Sequence, residues 1–195
     1  MGRVAEITRT TQETDIQVRL DLDGSGKYDV QTGIPFLNHM LEQFARHGFF
    51  DLSLRAAGDL EVDSHHTVED VGICLGQALA QASGDRRGIR RFGEARVPLS
   101  ETLVSVVLDL CGRPYLVLRG DLPETTIGAF RTGLVVDFFK AFTDHAGLTL
   151  HVVIDHGRNA HHIVECLFKA VARALDAATR PDERLAGVLS TKGVL

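Results

Sequence analysis

The word His-His-x-x-Glu occurs twice in this chain, as His65-His66-Thr67-Val68-Glu69 and as His161-His162-Ile163-Val164-Glu165, and each copy opens an apolar helical run. A word this specific, repeated in the same context, marks a duplicated fold. The flanks repeat too. Glu13–Gly24 aligns with Glu101–Gly112 at an offset of 88, sharing Glu-Thr and Leu-Asp-Leu-x-Gly without a gap. Phe44-Ala-Arg-His47 aligns with Phe142-Thr-Asp-His145, and Asp51–Leu54 with Thr149–Val152, at an offset of 98, while the HHxxE words lie 96 apart. In that register His39 corresponds to Asp137. An internal repeat organises a chain before any single element is assigned. Residues 1–195 are expected to form one domain of two repeats, about 1–93 and about 94–195.

Each repeat shows the same elements. Ile16, Val18, Leu20 and Leu22 alternate on one face of a half-buried strand, Thr14–Leu22, and Asp23-Gly-Ser-Gly26 turns the chain back. Thr102–Leu110 and Pro114–Leu118 are the counterparts around Cys111-Gly-Arg-Pro114. Phe36–His47 reads as a helix and Phe49–Ala56 as a strand. Ser64 is the expected N-cap of the first HHxxE helix, with Asn159 in the comparable stretch of the second. Val71–Ala82 carries no charge, so it should be covered on most sides, and Gly72 and Gly76, four apart, permit close helix contact. The expected fold is α+β: two similar halves, each an antiparallel sheet plus two helices, with the helices packed between the two sheets.

The chemistry of the repeated word follows from helix geometry. Positions i and i+4 share a face, so His65 stands over Glu69 and His161 over Glu165, while His66 and His162 point about 100° away. One cassette is therefore suited to give a His/Glu pair to one ion and its odd histidine to another. Imidazole plus carboxylate without thiolate disfavours structural zinc and suits Mn²⁺, Fe²⁺ or catalytic Zn²⁺, with octahedral Mn²⁺ the expected ion. His47, His145, His151 and His156, taken singly, read as structural or merely polar, and the Gly24-Ser-Gly26 and Gly147 glycines as turn chemistry. The basic run Arg86–Arg91 reads by itself as a solvated loop.

Composition narrows the function classes. A net charge of −5 argues against general affinity for nucleic acid. No apolar run reaches membrane-spanning length, and Met1–Ile7 has no apolar leader core. Cys74, Cys111 and Cys166 are scattered among apolar neighbours, which suits a reducing cytoplasm and not a disulfide frame.

Six separated stretches in order, Gly33–Met40, Asp63–Asp70, Gly88–Gly93, Leu108–Tyr115, Ala160–Glu165 with Phe168-Lys-Ala170, and Ser190–Leu195, carry a resemblance that spans the chain. It resembles the imidazoleglycerol-phosphate dehydratase family. The resemblance implies a Mn²⁺-dependent lyase of histidine biosynthesis, with two Mn²⁺ per protomer, that converts imidazole glycerol phosphate to imidazole acetol phosphate and water. It also implies a homo-oligomer of 24 subunits with the metal sites at subunit contacts. No extra segment for a fused phosphatase domain is present, so a monofunctional protein is expected.

Carried onto this chain, the family's metal ligands fall on His39, His65, His66, Glu69, His161, His162 and Glu165, with the eighth position on Asp137. Substrate-contacting positions fall on Glu13, His39, Gln43, His47, Arg91, Arg113, His161, Ser190, Thr191 and Lys192. Arg91, Arg113 and Lys192 with the Ser190 hydroxyl supply cationic and hydroxyl donors for a phosphate monoester; Arg86 and Arg87 remain surface charges. The implied chemistry is an imidazole bridging two cations, which loses its ring proton because metals lower ligand pKa. The imidazolate then expels the neighbouring hydroxyl through a diazafulvene-like intermediate, and loss of the next carbon's proton gives an enol that ketonises. Glu13 is the candidate for proton transfer, with Glu69 and Glu165, as ligand carboxylates, in competition. Two other classes fit HHxxE alone: a dinuclear metal hydrolase or phosphatase, and a shell protein bridged by metals. The Arg/Lys/Ser phosphate set is unexplained by the shell.

Overall fold

The structure, a computed structural model, describes residues 2–195. In chain order the elements are β1 (Val4–Thr10), β2 (Thr14–Asp21), β3 (Tyr28–Gln31), α1 (Pro35–Gly48), β4 (Asp51–Gly58), α2 (His65–Ser83), β5 (Phe92–Leu99), β6 (Thr102–Asp109), β7 (Tyr115–Arg119), β8 (Thr126–Ile127), β9 (Phe130–Arg131), α3 (Leu134–Ala146), β10 (Thr149–His156) and α4 (Ala160–Thr179). One sheet has the order β1-β2-β4-β3, the other β5-β6-β10-β7, and β8 and β9 form a small hairpin.

The offsets of the aligned words reappear as sheet register. Val18 pairs with Leu54 in the first sheet and Val106 with Val152 in the second, which are the same pairs displaced by 88 and 98. In both central strands alternate residues point into the core: Ile16, Val18 and Leu20 in β2, and Val104, Val106 and Leu108 in β6, are all at most 3% exposed. The sheets are not wholly antiparallel. β3 runs parallel to β4, and β7 parallel to β10. A helix intervenes in each case, and a strand–helix–strand crossover brings the second strand back in the same direction. The first of these strands, Tyr28–Gln31, is too short and too exposed to announce itself by periodicity.

The helices lie between the sheets. α2 packs on β1 and β2, and α1 on β3; α4 packs on β5 and β6, and α3 on β7. Across the middle α2 meets α3 and α1 meets α4, so each half's helices are covered by the other half. The α2–α3 contact is close because of its glycines. A Cβ on Gly72 would stand 2.6 Å from the Phe138 carbonyl oxygen, and one on Gly76 would stand 2.5 Å from that of Phe142. On the α3–α4 side the core is aromatic: the Phe168 ring sits 5.1 Å from Phe138 and 4.8 Å from Phe139.

Three local readings change. Ser64 makes no capping bond, because its backbone is already helical; Asp63 Oδ1 accepts the His65 N–H at 2.7 Å instead. Asp63 is the 96-offset counterpart of Asn159, whose Oδ1 caps the His161 N–H at 3.0 Å. Phe49 does not start a strand but terminates α1 in the left-handed region (φ 58°), where the second half uses Gly147 (φ 61°). Arg86 is not a surface charge. Its guanidinium donates to the carbonyls of Ala146 (2.6 Å) and Gly147 (3.0 Å), closing the carbonyl end of α3. Among the described residues no helix is long and apolar enough to cross a membrane.

Candidate metal centre and anion cavity

Both HHxxE words sit on the first turns of their helices, α2 and α4, with the i, i+4 pairing expected of them. His161 Nε2 lies 3.0 Å from Glu165 Oε2. From α1, in the other half, His39 Nε2 approaches the same oxygen at 3.3 Å. The three groups offer ligand atoms within 4.8 Å of one another. Two imidazoles and a carboxylate converging on one point fit a divalent cation that prefers nitrogen and oxygen donors.

The pseudo-equivalent trio is more open. His65 Nε2 is 3.6 Å from Glu69 Oε2, and His65 Nδ1 is 3.8 Å from Asp137 Oδ2, which α3 supplies from the other half. His65 and Asp137 line a cavity of about 370 Å³ that also includes Asp63 and Arg131. Thus His39 and Asp137 occupy matching places, as their repeat register requires.

His66 and His162 join neither trio. Each instead turns its Nδ1 to a carboxylate: His66 to Asp59 Oδ2 at 2.9 Å, and His162 to Glu101 Oε2 at 2.8 Å. The hydrogen bond to Asp59 raises the His66 pKa, and the hydrogen bond from His162 holds Glu101 down at about 2. Glu13 Oε1 stands 3.9 Å from His66 Nε2, beyond hydrogen-bond reach, on an exposed turn.

Glu165 is the most constrained carboxylate. Burial pushes its pKa up, but the Lys169 ammonium, 2.5 Å from its second oxygen, and the His161 and His39 rings outweigh this and leave it at about 2. His39, Gln43 and His47 occupy successive turns of α1, and Glu165, Lys169 and Arg173 do the same on α4. Burial, reinforced by the facing Lys169 and Arg173 cations, pulls the His47 pKa below its ordinary value.

The cationic residues gather elsewhere. Arg91, Arg113, Ser190, Thr191 and Lys192 line a cavity of about 780 Å³ between the β6–β7 loop and the C-terminal tail. Arg91 is largely committed: Nε and Nη2 donate to the Asp109 carboxylate at 2.6 and 2.9 Å, and Nη1 to the Leu189 carbonyl. Of its five N–H groups two remain for a ligand. Arg113 and Lys192 are exposed.

Comparison with known proteins decides the family. A model described as imidazoleglycerol-phosphate dehydratase matches residues 32–175. The chain belongs to the imidazoleglycerol-phosphate dehydratase family. Dehydratases of that name from Shouchella clausii and Paracoccus denitrificans are 55% and 58% identical to it, over 100% and 99% of this chain and the full length of each relative. The family's solved structures share the fold. The Staphylococcus aureus dehydratase aligns with TM-score 0.83 at 37% identity, covering 92% of this chain and 99% of that one. The Pyrococcus furiosus dehydratase in complex with (S)-C348 aligns at 0.84 and 36%, covering 97% and 100%. Membership makes this chain an enzyme of the hydro-lyase class.

Three residues in contact with the candidate ligands had no role assigned from sequence: Asp59, Glu101 and Lys169. Glu101 had a visible signal, because the repeat aligns it with Glu13. Lys169 lies four residues after Glu165 on a helix, a spacing that pairs opposite charges. Asp59 follows Gly58 in a loop, and nothing in its local sequence points to His66.

Proposed function

We propose that this chain converts imidazole glycerol phosphate to imidazole acetol phosphate and water with the help of two divalent cations, Mn²⁺ by ligand chemistry. The observation that carries the reading is the convergence of His39 and His161 on Glu165, built from both halves of the repeat. His39, His161 and Glu165 would hold one ion, and His65, Glu69 and Asp137 the other. When bound, the ions would supply Lewis acidity that lowers the ring pKa of the substrate imidazole.

The remaining work falls to side chains. Glu13 is suited to accept the proton from the carbon next to the one that loses its hydroxyl, since no hydrogen bond occupies its carboxylate. Glu165 is a poorer base because Lys169 holds its second oxygen. Arg113, Lys192, Ser190, Thr191 and the two free N–H groups of Arg91 would grip the phosphate. Gln43 and His47 extend the line of polar groups from His39 along α1.

Geometry supports an assembly. Arg91 donates its backbone N–H to the Ala178 carbonyl at the C-terminal end of α4, whereas His161 is at the N-terminal end. At 1.5 Å per residue the 17 residues between them span about 26 Å. With bond lengths near 1.5 Å, the substrate extends no more than about 10 Å. This separation supports a site in which the phosphate cavity of one subunit faces the metal centre of another. His66 and His162, outside their own trios, are free to complete ions shared with a partner. We infer a particle of 24 subunits, the size implied by the family resemblance. Mutual covering of the helices supports a single domain of two repeats, and three free, buried cysteines suit a reducing cytoplasm.

The direct test is incubation of the purified protein with Mn²⁺ and imidazole glycerol phosphate. The ketone product is expected. Release of inorganic phosphate without ketone would establish a hydrolase in its place, and no turnover would remove the dehydratase reading.

A further inference from the structure

The two halves treat their second histidines differently. In the second half Glu101, the residue just before β6, holds His162 by Nδ1. Its repeat counterpart, Glu13, occupies the same place just before β2 but does not hold His66. Asp59 does so instead, with its own backbone N–H donated to the Glu13 carbonyl at 3.1 Å, so the two carboxylates rise from neighbouring backbone.

We propose that Asp59 and Glu101 are positioning residues, each accepting the Nδ1–H of one cassette's second histidine so that its Nε2 lone pair is presented to a divalent cation, and that Asp59 thereby leaves Glu13 uncommitted for the substrate. A neutral imidazole has one N–H and one lone pair, so a carboxylate on Nδ1 fixes which nitrogen can ligate and also fixes the ring plane. Such outer partners typically change metal affinity 10–100-fold. Glu13 and Glu101 occupy equivalent places in the repeat; in the second half that carboxylate orients the histidine, and in the first Asp59 does so. Only the site next to Glu13 then retains an unbound base. This inference rests on the metal reading above.

The test is titration of the chelator-stripped full chain with Mn²⁺ alone, with free Mn²⁺ counted by electron paramagnetic resonance. Glu101→Ala should weaken the binding of one ion roughly 10–100-fold, and Glu101→Gln, whose amide oxygen still accepts the Nδ1–H, should recover most of it. Glu101 also caps the Asn159 N–H at 3.0 Å, so loss of helix order is a rival explanation. Comparing His162→Ala with His162→Ala/Glu101→Ala separates them: a group that acts only through His162 adds no loss once that ring is gone. Acting through His66, Asp59→Ala should likewise weaken binding, and Asp59→Asn, whose amide oxygen still accepts the Nδ1–H, should recover most of it. Wild-type binding by Glu101→Ala, or additive losses in the double variant, would overturn the positioning role. A wild-type chain that binds no Mn²⁺ would overturn the metal reading itself, and this inference with it.

Discussion

Replacing Gly72 by alanine tests whether the interface between the halves is built as described. The new Cβ would lie 2.6 Å from the Phe138 carbonyl oxygen and 3.2 Å from the Ala141 Cβ. Reaching the roughly 3.3 Å of an ordinary C–H···O contact requires α2 and α3 to separate by about 0.7 Å. Overpacking of this kind costs about 1–3 kcal/mol, against a gain of about 0.5–1 kcal/mol for alanine over glycine inside a helix. The net expectation is a loss of about 0–2.5 kcal/mol, centred near 1 kcal/mol, a fall of roughly 2–4 °C in melting temperature for a chain of this size. Gly76 lies on the same face, so Gly72→Ala/Gly76→Ala should lose less than the sum, because one separation relieves both clashes. Circular dichroism melts of the metal-free singles and the double measure this. An alanine variant more stable than the parent by about 0.5–1 kcal/mol would refute the close approach, since helix propensity alone would then decide the outcome. The same separation carries Asp137 away from His65, so weaker Mn²⁺ binding should accompany the loss of stability.

Glu13→Gln should cut turnover heavily while both ions stay bound, and single-turnover kinetics with Mn²⁺ counting checks this; full activity would remove Glu13 from the chemistry. In metal-free protein the depressed pKa of Glu165 has a definite sign. Its ion pair stabilises the fold above the carboxyl's unfolded value near 4.5 and is lost as pH falls toward about 2. Glu165→Gln should therefore flatten the acid limb of stability between those values in urea titrations, and an unchanged limb would contradict the pairing with Lys169. The proposed assembly, held by metals at its subunit contacts, should dissociate into smaller species on chelation, as read by size-exclusion chromatography with light scattering, whereas a monomer indifferent to both chelator and Mn²⁺ would rule out metal sites at subunit contacts.

Much of the architecture was legible because a duplication writes its register twice. The offsets of 88 and 98 place Val18, Leu54, Val106 and Val152 in equivalent ladders, and helical spacing alone puts His161 on Glu165. Gly72 and Gly76 announced a close helix contact, although not its partner. Legibility failed where structure depends on neighbours remote in sequence. The parallel edge strands, the hold of Asp59 on His66 and the capping of α3 by Arg86 are set by chain segments that meet only after folding.

The sequence by itself determined the repeat, the pairing of i and i+4 ligands, and the apolar faces, since each depends only on local periodicity. Tertiary structure alone decided that His39 joins the second cassette and Asp137 the first. It also decided that the second histidines turn away from their own trios, and that the cavity lined by Arg91, Arg113 and Lys192 lies a helix length from the candidate metal centre. Those outcomes depend on how the two halves pack, and that packing is governed by close approach between surfaces that no local pattern encodes.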